Sequence, residues 1–328
     1  MIRFPCHMGK ECAFCDESAL VHSRPYQNDR SYALQPQSSS AALVAGLIDV
    51  FADTALSGNP LAVVEGADAL SDAQMRRIAG EFNQAETTFV MRSDRADLKL
   101  RSFTAAGAEV GGAGHNALGA WLWLAEDGKL GPIEGPRLFQ QEIGGEVLPI
   151  ELRPVDGRIF GRMKQSTLKL GPALTDVASL TAALGLSPED VLAEPAPRVG
   201  DTGVAHLLVR LHDAAAVDRA EPSAKALLKV LGAAAAEGCY VYAFNPSTPA
   251  RAYARFFNPT VGLWEDAATG TAAGPLAAYL ASQGLISGTI EIEQGTKMGR
   301  RSILRVSLAP EPEISGAGTI VMRGTLTL

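Results

Sequence analysis

The sequence predicts an α+β protein made of two similar domains. Its 328 residues suffice for two domains of ordinary size, each able to bury a core of its own. Both halves run in one order: strands, a helix, strands, a Gly-containing turn, then an apolar helix. The likeness is greatest between GGAGHNALGAWLWLA and DAATGTAAGPLAAYLA, which each set small residues at a helix start and large apolar residues behind them. An apolar fraction of 47% against 20% charged residues describes a chain that folds and excludes a largely disordered one.

The net charge of −7 provides no basic field, so neither nucleic acid nor an anionic membrane surface is expected as a partner. No apolar run is long enough to span a bilayer, and MIRFPCHMGKEC has no continuous apolar segment for secretion, which makes the cytoplasm the expected compartment. Cys6, Cys12 and Cys15 crowd together with His7 near the start of the chain. They are candidate zinc ligands, but adjacent ligands at 6 and 7 strain a tetrahedral site and no second half follows, so no metal is assigned. From Asp16 to Ser40 the chain is polar and ends in QPQSSS, which reads as a disordered leader over residues 1–46. Its Arg3, Lys10, Arg24 and Arg30 are matched by Glu11, Asp16, Glu17 and Asp29, unlike an acid-poor transit peptide.

LIDVFADTALSGNPLAVVEG alternates on either side of a Ser-Gly-Asn-Pro turn and reads as strand, turn, strand. Ser71 and Asp72 are helix-capping types, and Met75, Ile78, Ala79 and Phe82 recur behind them at helical spacing. Residues 87–91 and 98–104 are strand-like, which leaves Glu86 at an exposed helix-to-strand junction, as a catalytic acid or a mere cap. EVGGAGHNALGAWLWLAEDGKL is a Gly cluster opening into a buried helix that ends at Glu126-Asp127-Gly128. Strands return in EVLPIEL and RIFGRMKQ, before a domain boundary near residues 165–171. Ser187-Pro188-Glu189-Asp190 then opens a turn or short helix, and AHLLVRL, CYVYAF and YARFF are strands around an Ala-rich helix near residues 224–236. TIEIEQG, SILRVSL and TIVMRGTLTL end the chain as strands. The expected organisation is a leader over 1–46, a first domain over 47–165 and a second over 166–316, with the last strand, 317–328, a candidate to return to the first.

The two Gly-rich helix starts are the candidate site. A helix N-terminus presents unpaired N–H groups and about half a positive charge, and small residues let an anion reach them. Gly114, Asn116, Thr269, Gly270 and Thr271 are therefore candidate contacts to a carboxylate, and Asp266 supplies an acceptor that the amides cannot. His115, at an exposed helix start, is well placed to donate to a ligand, whereas His7, His22, His206 and His212 have no such setting. For a single Gly-rich turn, close helix packing is the plainer reading; two in matching places favour a site.

SGNPLAVV, EFNQAETTFV, SFTAAGAEVGGAGHNALGA, RFFNPTVGLWEDAATGTAAGPLAAYL and EQGTKMGRRSIL resemble, in order and spacing, the motifs of the phenazine-biosynthesis PhzF-like isomerase family, from about residue 47 to the C-terminus. The resemblance implies a diaminopimelate epimerase-like fold, each domain a strand barrel wrapped on a central helix, with the active site in the cleft between domains. It implies that Glu86 is the acid/base glutamate, that His115 and Asp266 are the motif histidine and aspartate, and that Thr271 takes the place of the motif serine. It further implies isomerisation of a small carboxylate substrate, similar to that of a dihydro-hydroxyanthranilate, in a homodimer that uses no cofactor. One carboxylate would take a proton and return it on the same face. Three departures are Ala267 for the motif's proline, Thr271 for its serine and GHNA for its GHPT. Related two-thiol racemases carry thiols where this chain has Ala113 and Thr269, so their chemistry is excluded.

Gly112 to Ala117 also matches G-x-G-x-x-G/A, but no buried apolar strand precedes it and no strand ending in an acid follows, which disfavours a dehydrogenase. The remaining alternative is a family member that keeps the cleft only to bind a small carboxylate or to dock a protein. The joint presence of Glu86, His115 and Asp266 argues against it.

Overall fold

The structure, a computed structural model, describes residues 42–248, 250–261, 263–308 and 311–328. The candidate zinc cluster of Cys6, His7, Cys12 and Cys15, and the leader as far as residue 41, lie outside the described residues. In the first half β1 (Leu43–Val50) and β2 (Asn59–Glu65) pair antiparallel. The chain then crosses through α1 (Asp72–Phe82) to β3 (Thr87–Met91), parallel to β2. A Ser71/Gln74 capping box opens α1, and Asn83 in the left-handed conformation closes it. β4 (Leu98–Phe103) turns back on β3, and the short β5 (Glu109–Val110) leads into α2 (His115–Glu126). Beyond it β6 (Arg137–Ile143) lies parallel to β4 and continues antiparallel through β7 (Glu146–Val155) and β8 (Arg158–Lys164).

After β9 (Lys169–Ala173), α3 (Val177–Leu184) and β10 (Arg198–Asp201), the second half repeats these pairings. β11 (Ala205–Arg210) crosses through α4 (Ala214–Arg219) and α5 (Ala224–Ala234) to the parallel β12 (Gly238–Phe244). β13 (Arg251–Asn258) turns back, and the short β14 (Leu263–Asp266) leads into α6 (Gly270–Ser282). β15 (Thr289–Gln294) lies parallel to β13 and continues antiparallel through β16 (Ser302–Leu308) to β17 (Pro312–Leu326).

β17 belongs to both halves. Its first residues pair with β16, residues 313–317 with β8, and residues 318–326 with β1. The last two contacts close an eight-stranded barrel of β1, β2, β3, β4, β6, β7, β8 and β17. α2 fills it, buried from His115 to Leu124. So apolar a helix still carries two indole N–H groups, and each is satisfied: Trp121 donates to Gln141 Oε1 (3.0 Å) and Trp123 to Glu65 Oε1 (2.8 Å). Gly119 permits the close fit, since a Cβ there would stand 2.6 Å from Leu61 and Val50. α6 is the counterpart in the second half, packed on β10, β11, β16 and β17. The remaining helices cover the outside: α1 sets Met75, Ile78 and Ala79 against Val64, Phe89 and Phe103, and α3 to α5 cover Leu207, Val209 and Val241.

Two boundaries differ from the sequence reading. β1 starts at Leu43, so the expected leader of 1–46 is too long: Leu43 and Ala45 are buried and pair with β17, a partner that local pattern cannot reveal. β17 likewise starts at Pro312, ahead of TIVMRGTLTL, because its first part is needed between β16 and β8. β6 and β10 escape the pattern as well; β6 opens with the exposed Arg137 and Leu138, and β10 is only four residues long. Among the described residues no helix is long and apolar enough to cross a membrane.

The β1–β17 ladder yields a stability test. A Cβ on Gly46 would lie 2.1 Å from the Met322 carbonyl oxygen and 2.4 Å from the Trp123 ring, neither of which can move without opening the barrel. Gly46→Ala is expected to lower the urea unfolding free energy by about 2–3 kcal/mol. Gly232→Ala, in α5 with nothing within 4 Å of the new methyl, should raise it by about 0.5–1 kcal/mol.

Candidate active site

The starts of α2 and α6 open on one cavity of about 660 Å³. Glu86, Gly114, His115 and Asn116 line it from the first half, and Asp266, Thr269, Gly270 and Thr271 from the second. All eight residues singled out from the sequence thus share one wall-to-wall space. Among the described residues neither lysine nor arginine lines it, and no cysteine does; Cys239 is buried in the core.

Glu86 is positioned by the turn from Asn83, at the end of α1, into β3. It is not the exposed junction residue expected: its side chain is 19% accessible, and burial lifts its pKa to about 7. Its Oε2 stands 3.5 Å from Nδ1 of His115. His115 is also buried, not exposed, and burial holds its pKa below the usual value against the pull of Asp266, so the ring is neutral at pH 7. Its Nε2 is buried without a partner among the described residues, an orphan that a ligand would satisfy.

Asp266 is held from both halves. Asn59 Nδ2, on β2, donates to Asp266 Oδ1 (2.8 Å) and to the Ala268 carbonyl (3.0 Å), while Thr269 Oγ1 donates to Asp266 Oδ2 (2.5 Å). Buried Gln294 completes the frame: its Nε2 donates to the Asp266 carbonyl (2.8 Å) and to Thr269 Oγ1 (3.0 Å). Its Oε1 accepts from the Thr269 N–H (3.2 Å) and the Tyr240 hydroxyl (2.8 Å). Burial raises the Asp266 pKa, and His115 and the hydrogen-bond donors oppose the rise.

These bonds sort the predicted contacts. The Thr269 N–H is taken by Gln294, and the Gly114 N–H by Asn116 Oδ1 (2.7 Å). Asn116 Nδ2 is also engaged, with Ser102 Oγ (3.1 Å) and the Gly112 carbonyl (3.0 Å). The side chains of Thr269 and Asn116 therefore build the loops, and the helix-start donors left without a partner among the described residues are the N–H groups of His115, Asn116, Ala117, Gly270 and Thr271.

Sequence reasoning missed Asn59, Gln294 and His206. His206, given no setting above, lines the cavity with its Nε2 3.0 Å from Thr271 Oγ1. β2 and β11 occupy the same place in the two halves, but the pairing register sets His206 in the place of Ala62 and not of Asn59, so the duplication did not single these residues out. By the same correspondence Glu237 follows α5 as Glu86 follows α1, and it lines the cavity too, but it is exposed.

Comparison with known proteins identifies the family and the fold. A sequence model described as phenazine biosynthesis-like protein matches residues 48–324. The trans-2,3-dihydro-3-hydroxyanthranilate isomerase of Pseudomonas chlororaphis is 35% identical over 291 residues, covering 86% of this chain and 98% of that one. Among solved structures, a PhzF-family phenazine biosynthesis protein from Bacillus anthracis shares the fold (TM-score 0.78, 24% identity, 88% of this chain and all of that one). A protein described as a predicted epimerase from Pseudomonas aeruginosa is similar at TM-score 0.74 and 30% identity, over 87% of this chain and 99% of that one.

The state of Glu86 has a consequence for stability. With a native pKa of about 7 above an ordinary 4.5, the native state holds this proton more tightly than the unfolded chain, so stability falls as pH rises between those values and levels off above about 7. The loss is on the order of 3 kcal/mol. Glu86→Gln is expected to unfold at a higher temperature than the parent at pH 8, with the difference vanishing near pH 4; an equal difference at both pH values would contradict the assignment.

Proposed function

The chain belongs to the phenazine biosynthesis-like protein family and is an isomerase, and from that premise we propose that it moves a proton between two carbons of a small carboxylate of the dihydro-hydroxyanthranilate kind. The observation that carries this is Glu86, a largely enclosed carboxyl with a pKa of about 7, whose Oε2 stands 3.5 Å from Nδ1 of a neutral imidazole. At neutral pH such a group is nearly as ready to take a proton as to give it, which a single acid/base residue requires. Glu86 removes a proton from one carbon, the double bond shifts, and the same carboxyl returns the proton to the other end of the unsaturated system. No electrons leave the substrate and no co-reactant is consumed.

The rest of the cavity supports the substrate class. With no lysine or arginine among the described lining residues, a substrate carboxylate is held by the N–H groups at the helix starts. His115 Nε2 and Asp266 then orient the polar groups on the ring. In this reading His115 and Asp266 position the substrate and Glu86 does the proton transfer. The absence of a lining cysteine among the described residues supports one-carboxylate chemistry over a thiol pair.

Turnover of trans-2,3-dihydro-3-hydroxyanthranilate in deuterated water tests the proposal. The parent should rise in kcat/KM as pH passes about 7, as the carboxylate form accumulates. Glu86→Gln keeps the size but cannot carry the proton, so kcat should fall about 100- to 10,000-fold while the Kd for anthranilate changes by only a few fold. Retained turnover by Glu86→Gln would remove this residue from the mechanism.

A further inference from the structure

His206 has no part in the chemistry above, yet it is 2% exposed, lines the cavity and touches the start of α6. Its ring stands edge-on to Phe256, centroids 4.8 Å apart at 82°, which fixes its plane. Nε2 is 3.0 Å from Thr271 Oγ1, and Nδ1 is buried with no partner among the described residues.

These facts favour one position for the ring's hydrogen. A neutral imidazole carries one N–H. On Nδ1 that hydrogen would be buried without an acceptor, whereas on Nε2 it makes the bond to Thr271 and leaves Nδ1 a bare lone pair, the cheaper of the two orphans. Burial keeps the ring neutral, with a pKa of about 4 against the opposing pull of Asp201. If Nε2 donates, Thr271 Oγ1 is the acceptor, and its own hydrogen is free to point elsewhere. Thr271 lines the cavity beside the open N–H of Gly270, and its β-branched side chain is stiff at χ1.

We propose that His206 is a positioning residue that, by donating Nε2–H to Thr271, turns the Thr271 hydroxyl into a fixed hydrogen-bond donor aimed at the substrate carboxylate. It rests on the reading that the carboxylate binds at the helix starts. A threonine suits the role because its β-branch leaves its hydroxyl fewer positions about χ1 than a serine's has.

Two measurements test it. In ligand-free protein with 15N-labelled histidine, His206, assigned with His206→Gln, should show a protonated Nε2 and a bare Nδ1 from pH 5 to 8, and Thr271→Val should shift the Nε2 signal. A protonated Nδ1, a charged ring, or no response to Thr271→Val would overturn the proposal without reference to any substrate. With trans-2,3-dihydro-3-hydroxyanthranilate, His206→Leu and Thr271→Val should each raise KM about tenfold with little change in kcat, and the double variant should be no worse than either. His206→Gln, which puts an amide N–H where Nε2–H stands, should restore KM to within about threefold, and His206→Asn should not. Additive losses, or no rescue by Gln, would make His206 a packing residue. If the parent does not act on this compound but the imidazole signals are as described, the substrate reading fails and the His206–Thr271 bond stands.

Discussion

Two enclosed carboxylates, Glu86 and Asp266, and two imidazoles share a cavity to which, among the described residues, no lysine or arginine contributes, and the cost of keeping them out of water governs the structure around them. The two acids meet that cost differently. Asp266 is given donors on both oxygens, one from each half of the chain. Among the described residues Glu86 is given none but the flank of His115, and it holds its proton up to about neutral pH. An acid with donors on both oxygens is anchored, and one without them is left able to exchange its proton. The need to bring Asn59 to Asp266 also explains why the halves must meet at this point and not merely lie side by side.

The duplication of the fold is close in backbone and loose in chemistry. Each half crosses through helices to a parallel strand, turns back, and enters a central helix before the next parallel strand. Glu86 and Glu237 hold the same place in that plan, but only Glu86 is enclosed. His115 begins α2 and has an orphaned nitrogen; the other helix start offers a threonine hydroxyl with a histidine behind it. In the proposed mechanism one half thus contributes the proton carrier, Glu86, and the other most of the hydrogen-bond frame around Asp266.

Much of this was legible in the sequence, for a physical reason. Small residues before an apolar helix are a local pattern, so both helix starts, and with them Glu86, His115 and Asp266, could be located from the residues and the family motifs. What local pattern cannot express is a contact between distant positions. Asn59 reads as a turn residue until it is seen 2.8 Å from Asp266, and His206 as an ordinary strand residue until Thr271 is placed beside it. Burial was misjudged on the same ground: Glu86 and His115 lie at element junctions, which are normally wet, and the second half of the chain walls the cavity opposite them. The early start of β1 is a further case, since Leu43 is buried by its pairing with Leu326.

That pairing reaches beyond the finished molecule to its making. β1 leaves the ribosome long before β17, yet the first barrel is not a closed ring until residues 318–326 lie against β1. Until then β1 and β8 are open sheet edges, able to accept a foreign strand. The half synthesised first is therefore the half completed last, and contacts of such long sequence separation fold slowly. A chain lacking β17 would leave both of those edges without their partner.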